Sequence, residues 1–404
     1  MSTDKDIIAL FNYGGGMRGL IPAHIMARIE DVTGLRMVDM VDIFSGPSTG
    51  AILNAALNVP HPDEPDRPKY RARHLIKFYE REGLNIFPYD RFREFRALIH
   101  DFNNRTMRIG QLNALFRKGH YDPRHLGKSL RDLFGDTKLS ESLRSLIIPV
   151  FNIDGEQLEI VEEAGDTGNT PVHTRGNVTD RGGHAVWLKS MQPELRKRPA
   201  PDVSLFDAVV ASTAAPTYFP CHHFKVKYGD GRGTREYSGI DGSIFDNPCI
   251  SYHGAIRRHI PEGRKLKMIM LGTGHTLKSI KKEEWNNYGG LGVVDPVNDL
   301  PLINILFHAS ETALMESFGD EMRDSLFIFN KRMGANGPAA QIDDASPGQL
   351  ERLKTFAEEM LEENKKQFDD VCHLLVTNRD RKEDEKKTAP KGGIFSFFGR
   401  KKGG

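Results

Sequence analysis

The sequence predicts an α/β protein: a three-layer α/β/α domain around a central, mostly parallel sheet. Three observations carry that expectation. Short apolar runs of buried-strand type recur at Ile7–Phe11, Val41–Phe44, Leu146–Phe151 and Lys267–Leu271. Helix-forming stretches separate them, as crossovers between parallel strands require. Three of the runs end in glycine turns, Gly14–Gly19, Gly46–Gly50 and Gly272–Gly274, which a parallel sheet would gather at one end.

The composition excludes several classes. At 404 residues the chain suits one large domain or two small ones, and 38% apolar with 27% charged residues is ordinary for a globular protein. A formal net charge of +1 gives no global field to steer it to nucleic acid. Cys221, Cys249 and Cys372 are odd in number and far apart, which argues for a reducing compartment and against a disulfide framework or a zinc site. Met1–Asp6 is polar, the apolar run after it is too short for a signal-peptide core, and no run approaches the ~20 residues of a membrane span. The expectation is a cytoplasmic protein with no metal or organic cofactor.

In chain order, Ile7–Phe11 is the first strand. It runs into Asn12-Tyr13-Gly14-Gly15-Gly16-Met17-Arg18-Gly19, and Pro22 opens a helix through Glu30. The glycine loop has two readings. Gly14-x-Gly16-x-x-Gly19, with acidic Asp39 about 20 residues further on, matches a dinucleotide fingerprint. Consecutive glycines also let backbone N–H groups converge on one oxygen, as an oxyanion hole must, where one donor is worth about 3–4 kcal/mol. Arg18 either anchors the loop through a salt bridge or meets an anionic head group.

The second strand, Val41–Phe44, leads into Gly46-Pro47-Ser48-Thr49-Gly50 and a helix through Ala51–Leu57. This is the nucleophile-elbow pattern. Ser48 would sit on a strained turn, flanked by Gly46 and Gly50 because a Cβ at either would collide with a neighbour. The helix that follows points its positive end at the serine oxygen. Asp42 lies inside the strand rather than at its end, where a ribose-binding carboxylate belongs, and the elbow needs the space of a dinucleotide. Both points favour the hydrolase reading.

Residues 61–70 are a proline-rich loop, 70–83 an amphipathic helix, and 84–120 either surface decoration or a cover over the site. Tyr121-Asp122-Pro123 starts a helix through Phe134, Leu146–Phe151 is a strand, and 164–185 is a loop or hairpin. A short helix, Ser204–Ser212, leads to the turn block Ala214–Pro220. Tyr237–Ile240 ends a strand at Asp241-Gly242-Ser243. A carboxylate there can take a proton from a hydroxyl without a histidine if desolvation raises its basicity. Of the histidines after Asp241, His275 alone stands at a strand-end turn, so a Ser–Asp dyad is expected and a triad through His275 is the alternative. Ser346-Pro347-Gly348-Gln349 starts a helix whose apolar positions run through Val371. Residues 379–404, with nine basic and four acidic side chains and phenylalanines beside Arg400–Lys402, are a solubilising tail or a weak contact with an anionic bilayer at about 1 kcal/mol per basic residue. The boundaries expected are a hydrolase domain over 1–335, a linker and C-terminal amphipathic helix over 336–378, and a basic flexible tail over 379–404.

Several blocks together resemble the patatin-like phospholipase family: Gly14–Pro22, Gly46–Gly50, Tyr121–Pro123, Ala214–Pro220, Asp241–Ser243 with Asn247-Pro248, and Gly272–Gly274. They stand in the family's order across roughly residues 7–275. The resemblance implies a phospholipase A-type acyl hydrolase acting on membrane phospholipid, with Ser48 as nucleophile and Asp241 as base. Gly14, Gly15 and Gly16, with Arg18 and Gly19 in the same loop, would form the oxyanion hole, and Gly242 and Ser243 would complete the turn after the base. Two positions depart from the pattern: Tyr13, where the family has Asp, and Ser243, where it has Gly or Ala. The rival classes are a dinucleotide-binding oxidoreductase using Gly14–Gly19 and a weakly catalytic lipid-binding protein on the same fold. Head group, acyl position, chain length and any activator are not set by the sequence.

Overall fold

The computed structural model describes residues 6–88, 121–157, 180–216, 218–275, 280–293, 301–334, 337–339 and 341–388. The expected cover segment falls largely, and the end of the tail entirely, outside them.

Eight strands form one sheet: β1 (Ile7–Asn12), β2 (Ile43–Ser45), β3 (Ser145–Asn152), β4 (His184–Ser190), β5 (His222–Tyr228), β6 (Gly233–Asp241), β7 (Leu266–Leu271) and β8 (Leu326–Phe329). Their order is β8-β7-β1-β2-β3-β6-β5, with β4 also on β3. Pairings from β8 to β3 are parallel; those of β3 with β4, β3 with β6 and β5 with β6 are antiparallel. β1 and β7 are apolar on both faces, as a strand covered by helices on each side must be.

The first face carries α1 (Leu20–Thr33), α2 (Thr49–Asn58), α3 (Ala72–Ile86), α4 (Pro123–Phe134) and α5 (Leu205–Thr213), whose buried side chains form one continuous core. Beyond α6 (Lys282–Gly292), α7 (Pro301–Met322) joins residues 248–259 on the second face, where Phe318 and Met322 pack with Ile256, Phe11 and Met268. Two layers of helix over one sheet give the predicted three-layer architecture.

Local chemistry sets the helix ends. Asp122 accepts from the Arg124 N–H, Ser204 from Asp207 and Ser346 from Gln349, each capping the helix that follows. The C-terminal helix differs from expectation. It is two helices, α8 (Pro347–Glu363) and α9 (Lys365–Thr388), and the second runs past residue 379. At the break the Asn364 Nδ2 donates to the Met360 carbonyl at 2.8 Å, competing with the helix's own ladder. Asp39 does not face the glycine loop: its carboxylate accepts from the Arg36 N–H at 3.1 Å and caps the turn Met37–Met40. Asp42 likewise accepts from the Ile8 N–H at 2.9 Å. Both acids have local structural roles, which weakens the dinucleotide reading.

Candidate active site

Ser48 stands where β2 ends and α2 begins, with φ 55° and ψ −127°. An L-residue holds that conformation only when its surroundings impose it. Here they do. A Cβ on Gly46 or Gly50 would strike the carbonyl oxygen of Asn12, so the turn is pressed against the end of β1. From the other side the Ser48 N–H donates to the Ser212 carbonyl at 3.1 Å and its Oγ at 3.2 Å. The Ser212 hydroxyl donates in turn to the Pro149 carbonyl at 2.6 Å. Asn54 of α2 ties the base of the elbow together, donating to the Ser45 carbonyl at 2.8 Å and accepting from Asn12 at 2.7 Å.

Asp241 reaches the same place along β6. Its partner across the sheet is Val150, and its N–H donates to the Ala214 carbonyl at 3.0 Å. Gly242 must be glycine because a Cβ would meet the Pro149 carbonyl. That one carbonyl therefore braces both the elbow, through Ser212, and the turn after Asp241. The Asp241 carboxylate is 3% exposed and accepts from the Ser243 N–H at 2.8 Å. Burial pushes its pKa up to about 6, and the Ser243 N–H with the hydroxyls of Ser48 and Ser243 draws it part of the way back. Ser243 Oγ is buried and lies outside hydrogen-bond geometry with any partner. Asp246, in the same segment, is also buried; its Oδ1 accepts from Trp187 at 3.4 Å, and burial raises its pKa well above the carboxylate range.

The glycine loop lies against the serine. A Cβ on Gly14 would come within 3.1 Å of Ser48 Cβ and run into Ser243 Oγ. Among the described residues, no hydrogen bond uses the N–H of Gly14, Gly15 or Gly16, so these donors are uncommitted. Gly16 has φ +55°, and Met17 ties it down by donating to the Ile342 carbonyl at 2.7 Å. A Cβ on Gly19 would run into the Thr49 and Tyr79 hydroxyls, so its close neighbours are those two side chains. Arg18 makes no salt bridge among the described residues. Its Nε is buried and unpartnered, and burial lowers its pKa to about 10, which leaves it charged at neutral pH. Tyr13 turns to the second face, edge-on to Phe11 at 5.2 Å.

Among the described residues His275 makes no side-chain hydrogen bond to Ser48 or Asp241. Its backbone is pinned to the segment after β8, its N–H donating to Lys331 and its carbonyl accepting from Met333. No histidine is among the groups that shift Asp241. Among the described residues no three His, Cys, Asp or Glu side chains converge as metal ligands.

An apolar pocket opens beside Ser48. Ile52 of α2, Phe78 and Ile86 of α3, Leu126 of α4 and Tyr218 with Phe219 line it. Tyr218 also stacks on Tyr121, whose hydroxyl donates to Asp343 at 2.7 Å. Ser212 and Thr273, which brace the site, carried no sequence signal beyond lying in a helix end and a glycine turn; their partners are remote in the chain.

A strained serine at a strand–helix elbow, a buried carboxylate beside it and free backbone donors across from it define a serine acyl hydrolase. The family model described as patatin-like phospholipase matches residues 13–252, and the chain belongs to that family. It is 26% identical to "Patatin-like protein 2" of Oryza sativa subsp. indica over 93% of this chain and 90% of that one. It is 26% identical to "Patatin-like protein 2" of Arabidopsis thaliana over 86% and 81%, and 24% identical to "Patatin-16" of Solanum tuberosum over 89% and 85%. The crystal structure of VipD from Legionella pneumophila aligns over 91% of this chain and 67% of its own at 12% identity and a TM-score of 0.31. No helix of the described residues is long and apolar enough to cross a membrane.

Proposed function

We propose that the chain hydrolyses fatty-acyl esters of membrane phospholipids through an acyl-Ser48 intermediate. The observation that carries the reading is the convergence of Ser48, Asp241 and the glycine loop, with Ser48 and Gly16 also lining an apolar pocket. Asp241 takes the Ser48 proton as Oγ attacks the ester carbonyl. The uncommitted N–H groups of Gly14–Gly16 receive the oxyanion, and Arg18 adds positive potential from the same loop. The protonated carboxyl then gives its proton to the departing lysolipid alkoxide. A water, deprotonated by the same carboxylate, releases the fatty acid and restores Ser48. A carboxyl with a pKa of about 6 suits both halves of that proton shuttle near neutrality.

The pocket supports the substrate class: its lining is mostly apolar and aromatic and includes Ser48. That suits an acyl chain with its ester at the serine. The basic residues of 391–404 would supply a peripheral contact with an anionic bilayer. The test is fatty-acid release from mixed phospholipid vesicles by the wild type, Ser48→Ala and Asp241→Ala. Release by the wild type that both substitutions abolish is expected. Vesicle binding without release would favour a lipid-binding role instead, and release that survives Ser48→Ala would overturn the assignment of the nucleophile.

A further inference from the structure

The turn Gly272-Thr273-Gly274 takes no part in the proton transfers above, yet it sits directly behind the glycine loop. Thr273 is 4% exposed, and its Oγ1 donates to the carbonyl of Gly14 at 2.9 Å. The turn is itself held rigidly. Gly272 donates to the Phe329 carbonyl at 2.8 Å, and Gly274, at φ +76°, donates to Asn330 Oδ1 at 3.1 Å. Thr273 therefore projects from a fixed post at the end of β7, the strand that pairs with β1 along its whole length.

The two glycines it touches have opposite faces. A Cβ on Gly14 would point at Ser48 and Ser243, whereas a Cβ on Gly15 would point at Thr273, 2.6 Å from its Oγ1 and 2.9 Å from its Cβ. The loop thus has a serine side and a threonine side. In a planar trans peptide the C=O and the following N–H point in opposite directions. A hydrogen bond that holds the Gly14 C=O toward Thr273 turns the Gly15 N–H away from it, toward the serine side. Three consecutive glycines carry no side chain to resist rotation of that peptide plane, so the loop alone does not fix which way the donor points.

We propose that Thr273 is the positioning residue of the oxyanion hole: its hydroxyl locks the Gly14–Gly15 peptide so that the Gly15 N–H faces the carbonyl under attack at Ser48. The proposal rests on the acyl-hydrolase reading. Thr273 touches no substrate, and its contribution is pre-organisation of a donor that does. An oxyanion-hole donor contributes about 10²–10³ in kcat; loss of its brace removes part of that.

The test compares Thr273→Val, which keeps the shape and removes the hydroxyl, with Thr273→Ser, which restores it. Hydrolysis of a soluble short-chain p-nitrophenyl ester gives kcat and KM separately. A trifluoromethyl ketone, which forms a reversible oxyanionic adduct with serine, gives a transition-state affinity, and the fatty-acid product gives a ground-state one. Thr273→Val is expected to lower kcat about 10–100-fold with KM within about twofold, and to weaken the ketone in parallel while leaving the fatty acid unchanged. Thr273→Ser is expected to stay within about threefold of the wild type. Should Thr273→Val fail to fold, Thr273→Ala replaces it with the same expectation. A folded variant without the hydroxyl that keeps kcat and ketone affinity would overturn the proposal, as would equal loss of ketone and fatty-acid binding, or loss in Thr273→Ser as deep as in Thr273→Val. A wild type that hydrolyses no ester would instead overturn the function itself, so the two failures are distinct.

Discussion

Replacing Asp241 with asparagine should kill the enzyme and stabilise its fold, and the size of the second effect follows from burial. The carboxyl is 3% exposed, with no cation among the groups that shift it, and titrates at about 6 rather than the ordinary 3.8. At about 1.4 kcal/mol per pH unit, that gap means the ionised side chain costs the native state roughly 3 kcal/mol once the pH is above 6. The sign is fixed by proton binding. Between pH 4 and 6 the folded chain holds a proton that the unfolded chain has lost, so stability falls as pH rises through that window and is level above it. Asparagine has the same shape, can keep the acceptor for the Ser243 N–H and does not titrate. Urea unfolding of wild type and Asp241→Asn from pH 4 to 8 isolates the effect, because every other titrating group cancels in the difference. The stability gap should widen in favour of the variant by up to about 3 kcal/mol between pH 4 and pH 7. A constant offset from the buried amide leaves that widening untouched. A gap that stays flat, or that widens in favour of the wild type, would refute the argument that a desolvated Asp241 is carried at a cost to stability.

Other outcomes follow from the same geometry. The acid limb of kcat/KM should fall with a slope of one below about pH 6, as Asp241 takes its proton, and a pH–rate profile reads it directly. Ser48→Gly should be inactive yet more stable than Ser48→Ala by about 1 kcal/mol in thermal melts, since glycine accepts φ 55° without strain. Gly46→Ala or Gly50→Ala, each forcing a methyl against the Asn12 carbonyl, should cost about 3 kcal/mol or more and most of the activity, measured by denaturation and ester turnover. Ile52→Trp should fill the pocket, lowering turnover of long-chain esters by about tenfold or more while a butyrate ester stays within about threefold.

The elbow was legible in the sequence because its chemistry is local. Gly46, Ser48 and Gly50 lie within five residues, and the strand and helix that aim them are contiguous with them. Asp241 was legible for a similar reason, as an acid at a strand end before a glycine turn. What joins them was not. Pro149 reads only as a strand residue, yet its carbonyl braces both Ser212 and the Asp241 turn. Ser212 and Thr273 act through hydrogen bonds to backbone groups remote in the chain, which leave no pattern in spacing or composition. Asp39 stood at a plausible distance from Gly19 and was nonetheless an ordinary cap, since a short acidic side chain near a helix start satisfies the nearest orphan N–H. The single C-terminal helix suggested by apolar periodicity divides at Asn364, whose side-chain amide and backbone N–H both donate to the Met360 carbonyl, a local feature that periodicity does not register.

The central claim is that an acyl group passes through Ser48. Its most direct test is acid quenching of the enzyme during steady-state turnover of a slow phospholipid or p-nitrophenyl ester, followed by intact-mass and peptide analysis. A fraction of chains heavier by one acyl group is expected, carried on the peptide that holds Ser48 and absent from Ser48→Ala. Acyl found on another residue, such as Ser243, or turnover that continues in Ser48→Ala, would contradict it.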